Sequence, residues 1–122
     1  MELDQNDENT SVSYFKYQVN EFVRKRNWSK YHTPKNLIQA LGIEVSELSE
    51  LFLFKDYNSN DIHRNKELIK AISGEIADIF IYLVSLVNSL SIDLTYSFVK
   101  KMEINENKYP PDEFNDGTYY KK

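Results

Sequence analysis

Residues 44–52 read EVSELSELF. Three glutamates stand three apart in a stretch whose other residues keep a helical period, and the first falls where a leucine belongs. At ~100° per residue, Leu37, Leu41, Val45, Leu48, Leu51 and Phe52 fill an arc of about 120° that contains Glu44. Glu47 sits at the edge of that arc, and Glu50 lies further round toward solvent. The stretch GEIADIFIYL, residues 74–83, repeats the arrangement. There Leu68, Ile72, Ile76, Ile79, Leu83 and Leu86 make the stripe, Glu75 falls inside it and Asp78 flanks it. Two helices therefore carry the same E-x-x-E/D spacing.

Only three glycines and three prolines interrupt the 122 residues, and apolar positions recur at three and four, so the chain reads as all-α. Four helices are expected. The first runs from about Val12 to Arg26, with Phe15, Val19, Phe22 and Val23 on one side. The second starts at Pro34, capped by Thr33, and reaches about Lys55. The third covers roughly Asn65 to Leu90, and Ser91 or Asp93 caps a fourth that runs to Tyr109, before Pro110 and Pro111. This predicts an antiparallel four-helix bundle in one domain over residues 11–110. Residues 1–10 and 111–122 are expected to be flexible tails.

The absence of cysteine rules out disulfides and thiolate metal sites. A net charge of −4, with lysines and arginines scattered among acids, argues against a nucleic-acid polymer as partner. The polar, acidic opening MELDQNDENTS has no apolar core of the kind a signal peptide needs, and the apolar run Ile79–Val87 is short for a bilayer. The expectation is a soluble, cytoplasmic protein with no membrane partner. Because IFIYLVSLV is apolar almost all round its helix, a homodimer or homotetramer is expected to cover it.

An ionised carboxylate left alone among apolar groups costs several kcal/mol, out of the roughly 5–15 kcal/mol that holds a domain folded. Protonation, pairing with lysine or arginine, or a divalent cation can each neutralise it. A lone E-x-x-E pair is ordinarily a solvated face. Two pairs whose first members sit in apolar stripes, on helices joined by a hairpin, favour the cation. Side chains at i and i+3 share a side, so Glu44 with Glu47 and Glu75 with Asp78 form two clamps. An all-oxygen set suits Mg²⁺, with Mn²⁺ possible, and a di-iron bundle is disfavoured because His32 and His63 lie outside both clamps.

In the loop NWSKYHTP, Trp28 and Tyr31 are placed to stack on a base, against the alternative that Trp28 only lids the core. His32 there reads as a hydrogen-bonding group at the helix entry. On the fourth helix Leu94, Phe98, Met102 and Tyr109 define the stripe, with Asn105 inside it and Lys101 beside it. Either these are a satisfied core asparagine and a snorkelling lysine, or they meet phosphate oxygens.

Taken together, RNWSKYHTPKNLIQALGIEVSELSELFLFK, GEIADIFIYLVSL and KMEINENKYP resemble the MazG-like all-α nucleoside triphosphate pyrophosphohydrolases, closest to the dCTP pyrophosphatase branch. The resemblance covers about residues 14–111. It implies a helical bundle completed by dimerisation, often into tetramers, with Mg²⁺ bound by Glu44, Glu47, Glu75 and Asp78, which are also the catalytic residues. It further implies that the nucleotide is contacted by Trp28, Ser29, Lys30, Tyr31 and His32, by Phe54 and by Tyr82, with Lys101, Asn105 and Tyr109 near the phosphates. Two positions depart from that branch. Phe54 stands where tryptophan is usual, and Val19 where the animal enzymes have histidine. Both bear on the base rather than on the metal.

The expected activity is Mg²⁺-dependent hydrolysis of a nucleoside triphosphate, dCTP or a related or modified pyrimidine nucleotide, to monophosphate and pyrophosphate. The competing readings are a non-catalytic oligomeric bundle with structural acidic clamps, and a base pocket of the dUTPase or phosphoribosyl-ATP pyrophosphohydrolase type.

Overall fold

Side-chain caps set the helix starts. In the computed structural model, which describes residues 4–122, Ser11 accepts from the Tyr14 amide to open α1 (Val12–Lys25), and Thr33 accepts from Asn36 to open α2 (Pro34–Glu50). Asn58 and Asp61 form a reciprocal capping box at α3 (Ser59–Arg64), Asn65 caps α4 (Lys66–Ser89) and Asp93 caps α5 (Leu94–Lys108). A short α6 (Pro111–Phe114) follows, and a single 3₁₀ turn occupies Ser29–Tyr31. The described residues contain no strand.

The four expected helices are therefore present, with three differences. The second ends at Glu50 instead of running to Lys55: from Leu51 the amides turn back three residues, Phe52 to Ser49 at 3.0 Å and Leu53 to Glu50 at 3.1 Å, and Phe54 then takes a left-handed φ of 58°. The segment DYNSND does break the chain's helical course, yet its asparagine also starts α3. Pro110-Pro111 ends α5, and Pro111 is then tolerated as the first residue of α6.

The chain divides into two compact units, one ending at Ser91 and one covering Ile92–Lys122. In the first, α4 is the central helix: α2 packs along it most extensively, and α1 and α3 also lie against it. The core is small, consisting of Val23, Leu37, Ile72, Val84 and Val87, with Leu37 and Val84 almost wholly enclosed. The Asn88 amide ties α4 to α1 by donating to the Lys16 carbonyl at 3.0 Å. Several stripe residues expected inside, Val45 and Ile76 among them, are exposed, as are Phe98 and Met102 of α5. By length and hydropathy α4 is apolar enough to cross a membrane, although Glu75 and Asp78 interrupt it.

The tails bear on the expected domain limits. Residues 1–3 lie outside the described residues, and Asn6 and Asn9 fold the segment before α1 into a turn. In the second unit Phe114 packs on Tyr109 and Tyr120, while Lys122 pairs with Glu113 at 2.8 Å.

Candidate metal centre and nucleotide groove

α2 and α4 bring together Glu44, Glu75 and Asp78. One carboxylate oxygen of each lies within 4.8 Å of the others. Glu44 and Glu75 are half-buried and Asp78 opens to solvent. The Oε2 atoms of Glu44 and Glu75 are buried with no hydrogen-bond partner. Burial, the adjoining carboxyl of Glu47, the charge of Asp78 and the carboxyl of Glu75 together push Glu44 up to about 7. Glu47 itself is exposed and stays outside the three-oxygen group.

Among the described residues the ion pairs are Arg24–Glu21, Lys100–Glu103 and Lys122–Glu113, and none reaches this cluster. Two buried oxygens without a partner, in a group of three carboxylates, fit a hard divalent cation and no protein cation. The oxygens thus meet the requirement for a metal: they are clustered, unsatisfied and short of positive charge.

Beside the cluster, between α1 and α4, runs a groove of about 790 Å³ lined by Glu44 and Asp78 at one part and by Trp28, His32 and Tyr82 elsewhere. Local backbone geometry aims Trp28 at it. Asn27 takes a left-handed φ of 56° just past the end of α1, the Asn27 amide donates to Arg24 O at 3.1 Å, and the Trp28 amide donates to Val23 O at 3.1 Å. This is a Schellman ending, and it turns the chain so that Trp28 meets Phe22 edge to face at 5.8 Å.

The other expected site residues are distributed as follows. Ser29 lines a smaller adjoining cavity with His32. Lys30 and Tyr31 are exposed on the 3₁₀ turn, the lysine lying 5.2 Å from the tyrosine ring, and neither lines the groove. Phe54 is 98% exposed and does not line it either. Lys101, Asn105 and Tyr109 belong to the second unit, where the Tyr109 hydroxyl accepts from the Lys122 amide at 2.8 Å.

Sequence reasoning missed Lys25 and Arg26, the cations of the groove wall, and the lining role of Phe15, Phe22 and Phe80. The Arg26 guanidinium lies 3.7 Å from the centre of the Phe22 ring, and Phe15 meets Phe80 edge to face at 5.1 Å. Phe15 and Phe22 were legible as inward residues of α1. Nothing in their spacing marks them as the wall of a groove instead of core.

The chain is similar to known proteins in both sequence and fold. The chain is 38% identical over 91 residues to human dCTP pyrophosphatase 1, which is 74% of this chain and 54% of the relative. The rat protein of the same name is 37% identical over the same coverage. The chain thus spans about half the length of the curated relatives it matches. Among solved structures, a pyrophosphatase from Archaeoglobus fulgidus superposes with a TM-score of 0.74 at 33% identity, covering 89% of this chain and 99% of that one. No protein-family model matches the sequence.

Proposed function

Because this chain belongs to the MazG-like all-α pyrophosphohydrolases, we propose that it hydrolyses a nucleoside triphosphate to the monophosphate and pyrophosphate, with dCTP or a related pyrimidine nucleotide as substrate. The observation that carries the reading is the pair of buried, unpartnered oxygens on Glu44 and Glu75, set within 4.8 Å of an oxygen of Asp78 at the side of an aromatic groove.

Glu44, Glu75 and Asp78 are the residues that would hold the metal, and Glu47 flanks them. A bound Mg²⁺ or Mn²⁺ would neutralise the triphosphate and, as a Lewis acid on its oxygens, make the phosphorus more electrophilic. Trp28, with Phe22 against it, offers a face on which a base stacks, and Tyr82 and His32 line the same space. Lys25 and Arg26 set positive charge along the groove wall. We assign the proton of the attacking water to Glu47, whose carboxyl adjoins that of Glu44 and is open to solvent. The water oxygen bonds to phosphorus, the bridging oxygen leaves with pyrophosphate, and the proton rests on Glu47 until it returns to solvent.

We also propose that the working form is a homodimer or homotetramer, supported by apolar side chains left uncovered on the first unit: Ile38, Ile43, Leu53 and Phe54 are all more than half exposed. A cytoplasmic setting goes with a nucleotide substrate.

Incubating the protein with each common NTP and dNTP, with Mg²⁺ or with EDTA, and separating the products by anion exchange tests the activity. The expected result is Mg²⁺-dependent conversion of a pyrimidine nucleotide to its monophosphate, abolished in Glu75→Ala and Asp78→Ala proteins that still melt cooperatively. Survival of every nucleotide would favour a non-catalytic bundle, and full activity in either variant would remove that residue from the site.

A further inference from the structure

The smaller cavity beside the groove has a composition of its own. It measures about 210 Å³, and six of its lining residues are polar: Asn20, Ser29, His32, Ser85, Asn88 and Ser89. It shares Val19, Val23, His32 and Ser85 with the large groove, so the two are one continuous space with a polar annex. Ser85 is the one buried polar residue among the described residues, 5% exposed, and its hydroxyl makes no hydrogen bond to another described residue. Polar groups at the end of an apolar groove suit the polar edge of a ligand.

Asn88 gives that annex a direction. Its Nδ2 donates to the Lys16 carbonyl at 3.0 Å. A carbonyl can only accept, so the amide cannot be turned round, and Oδ1, which can only accept, is left as the group it offers to the cavity. The spacing along α4 suits a nucleotide. Asp78, Tyr82 and Ser85 follow at four and three, on one face, and Asn88 lies ten residues beyond Asp78, about 15 Å along the axis. A nucleotide whose phosphates lie at Asp78 and whose base lies past Tyr82 brings the far edge of that base to Asn88.

Resting on the pyrophosphohydrolase reading, we propose that Asn88 is a specificity-determining residue: its Oδ1 accepts a hydrogen bond from the exocyclic amino group of the base. The chain therefore selects an aminopyrimidine, cytosine, over the ketopyrimidines uracil and thymine, whose oxygen at the same ring position cannot donate. Ser85 binds either kind of base, because a hydroxyl both donates and accepts.

The test compares dCTP with dUTP, which differ at that substituent and in the hydrogen that uracil carries on the neighbouring ring nitrogen. Wild-type protein with Mg²⁺ is expected to favour dCTP in kcat/KM. Asn88→Ala is expected to lower kcat/KM for dCTP about tenfold, the worth of one hydrogen bond, and to leave dUTP within about threefold. Ser85→Ala is expected to slow both nucleotides alike and keep their ratio. Melting curves show whether each variant is folded. Equal turnover of dCTP and dUTP by wild type overturns the assignment. So does a folded Asn88→Ala protein that keeps the wild-type ratio, or a Ser85→Ala protein that alone collapses it. If wild type hydrolyses no nucleotide at all, the enzyme reading fails and takes this inference with it.

Discussion

The surroundings of Glu44 disfavour its ionised form. Its carboxyl is held up to about 7, against an ordinary 4.5, by burial and by the acids around it. The folded, metal-free protein thus keeps a proton on Glu44 that the unfolded chain has already released. The associated stability is fully present below about pH 4.5 and lost as pH rises through about 7. Melting temperature measured in EDTA should fall across this window, more steeply in wild type than in Glu44→Gln, and added Mg²⁺ should restore it at the upper end. Parallel profiles for the two proteins would show that Glu44 titrates normally. Glu44 and Glu75 were legible in the sequence because a carboxylate in an apolar stripe breaks a rule and so calls for an explanation. Asn88, Lys25 and Arg26 break none: each stands where a helix ordinarily carries a polar residue, and only the packing of α1 on α4 turns them toward a cavity.

Among the helices, α1, α2, α4 and α5 were readable from their period, and α2 and α5 also from their caps, since Thr33 and Asp93 each accept a bond from the first turn; Ser11 and Asn65 do the same for α1 and α4. What escaped was backbone conformation. Asn27, Phe54 and Ser91 all adopt left-handed φ, a choice made by chain direction and not by composition, and two of them end helices. Phe54 is the instructive case. A bulky residue in that region is strained by roughly 1–3 kcal/mol, and here its ring is also 98% exposed. Spacing assigns the position to a helix, whereas it sits on a turn. The caps are the more testable feature. Thr33→Ala should lower unfolding free energy by about 1 kcal/mol, and Leu37→Ala, which empties an enclosed core position, by about 2–5 kcal/mol. Urea denaturation measures both, and equal losses would mean that Leu37 is not enclosed.

For the molecule as a whole, the short roster of buried apolar residues is the governing fact. Five enclosed hydrophobic side chains among the described residues make a thin core for a chain of this size, and the exposed faces of α2 and of the turn after it are where a second copy would bind. Light scattering should return the mass of two or four chains, and a single-chain mass would contradict the proposed assembly. Fold class was accessible from sequence because helical period survives whatever the neighbours are; which apolar face meets which neighbour was not, since Val45 and Ile76 fit a buried stripe and are nonetheless open. The central claim concerns chemistry, and phosphorus NMR of dCTP incubated with the protein and Mg²⁺ reads it directly. The account predicts that the triphosphate resonances give way to dCMP and pyrophosphate in equal amounts. Inorganic phosphate with dCDP, or an unchanged spectrum, would contradict it.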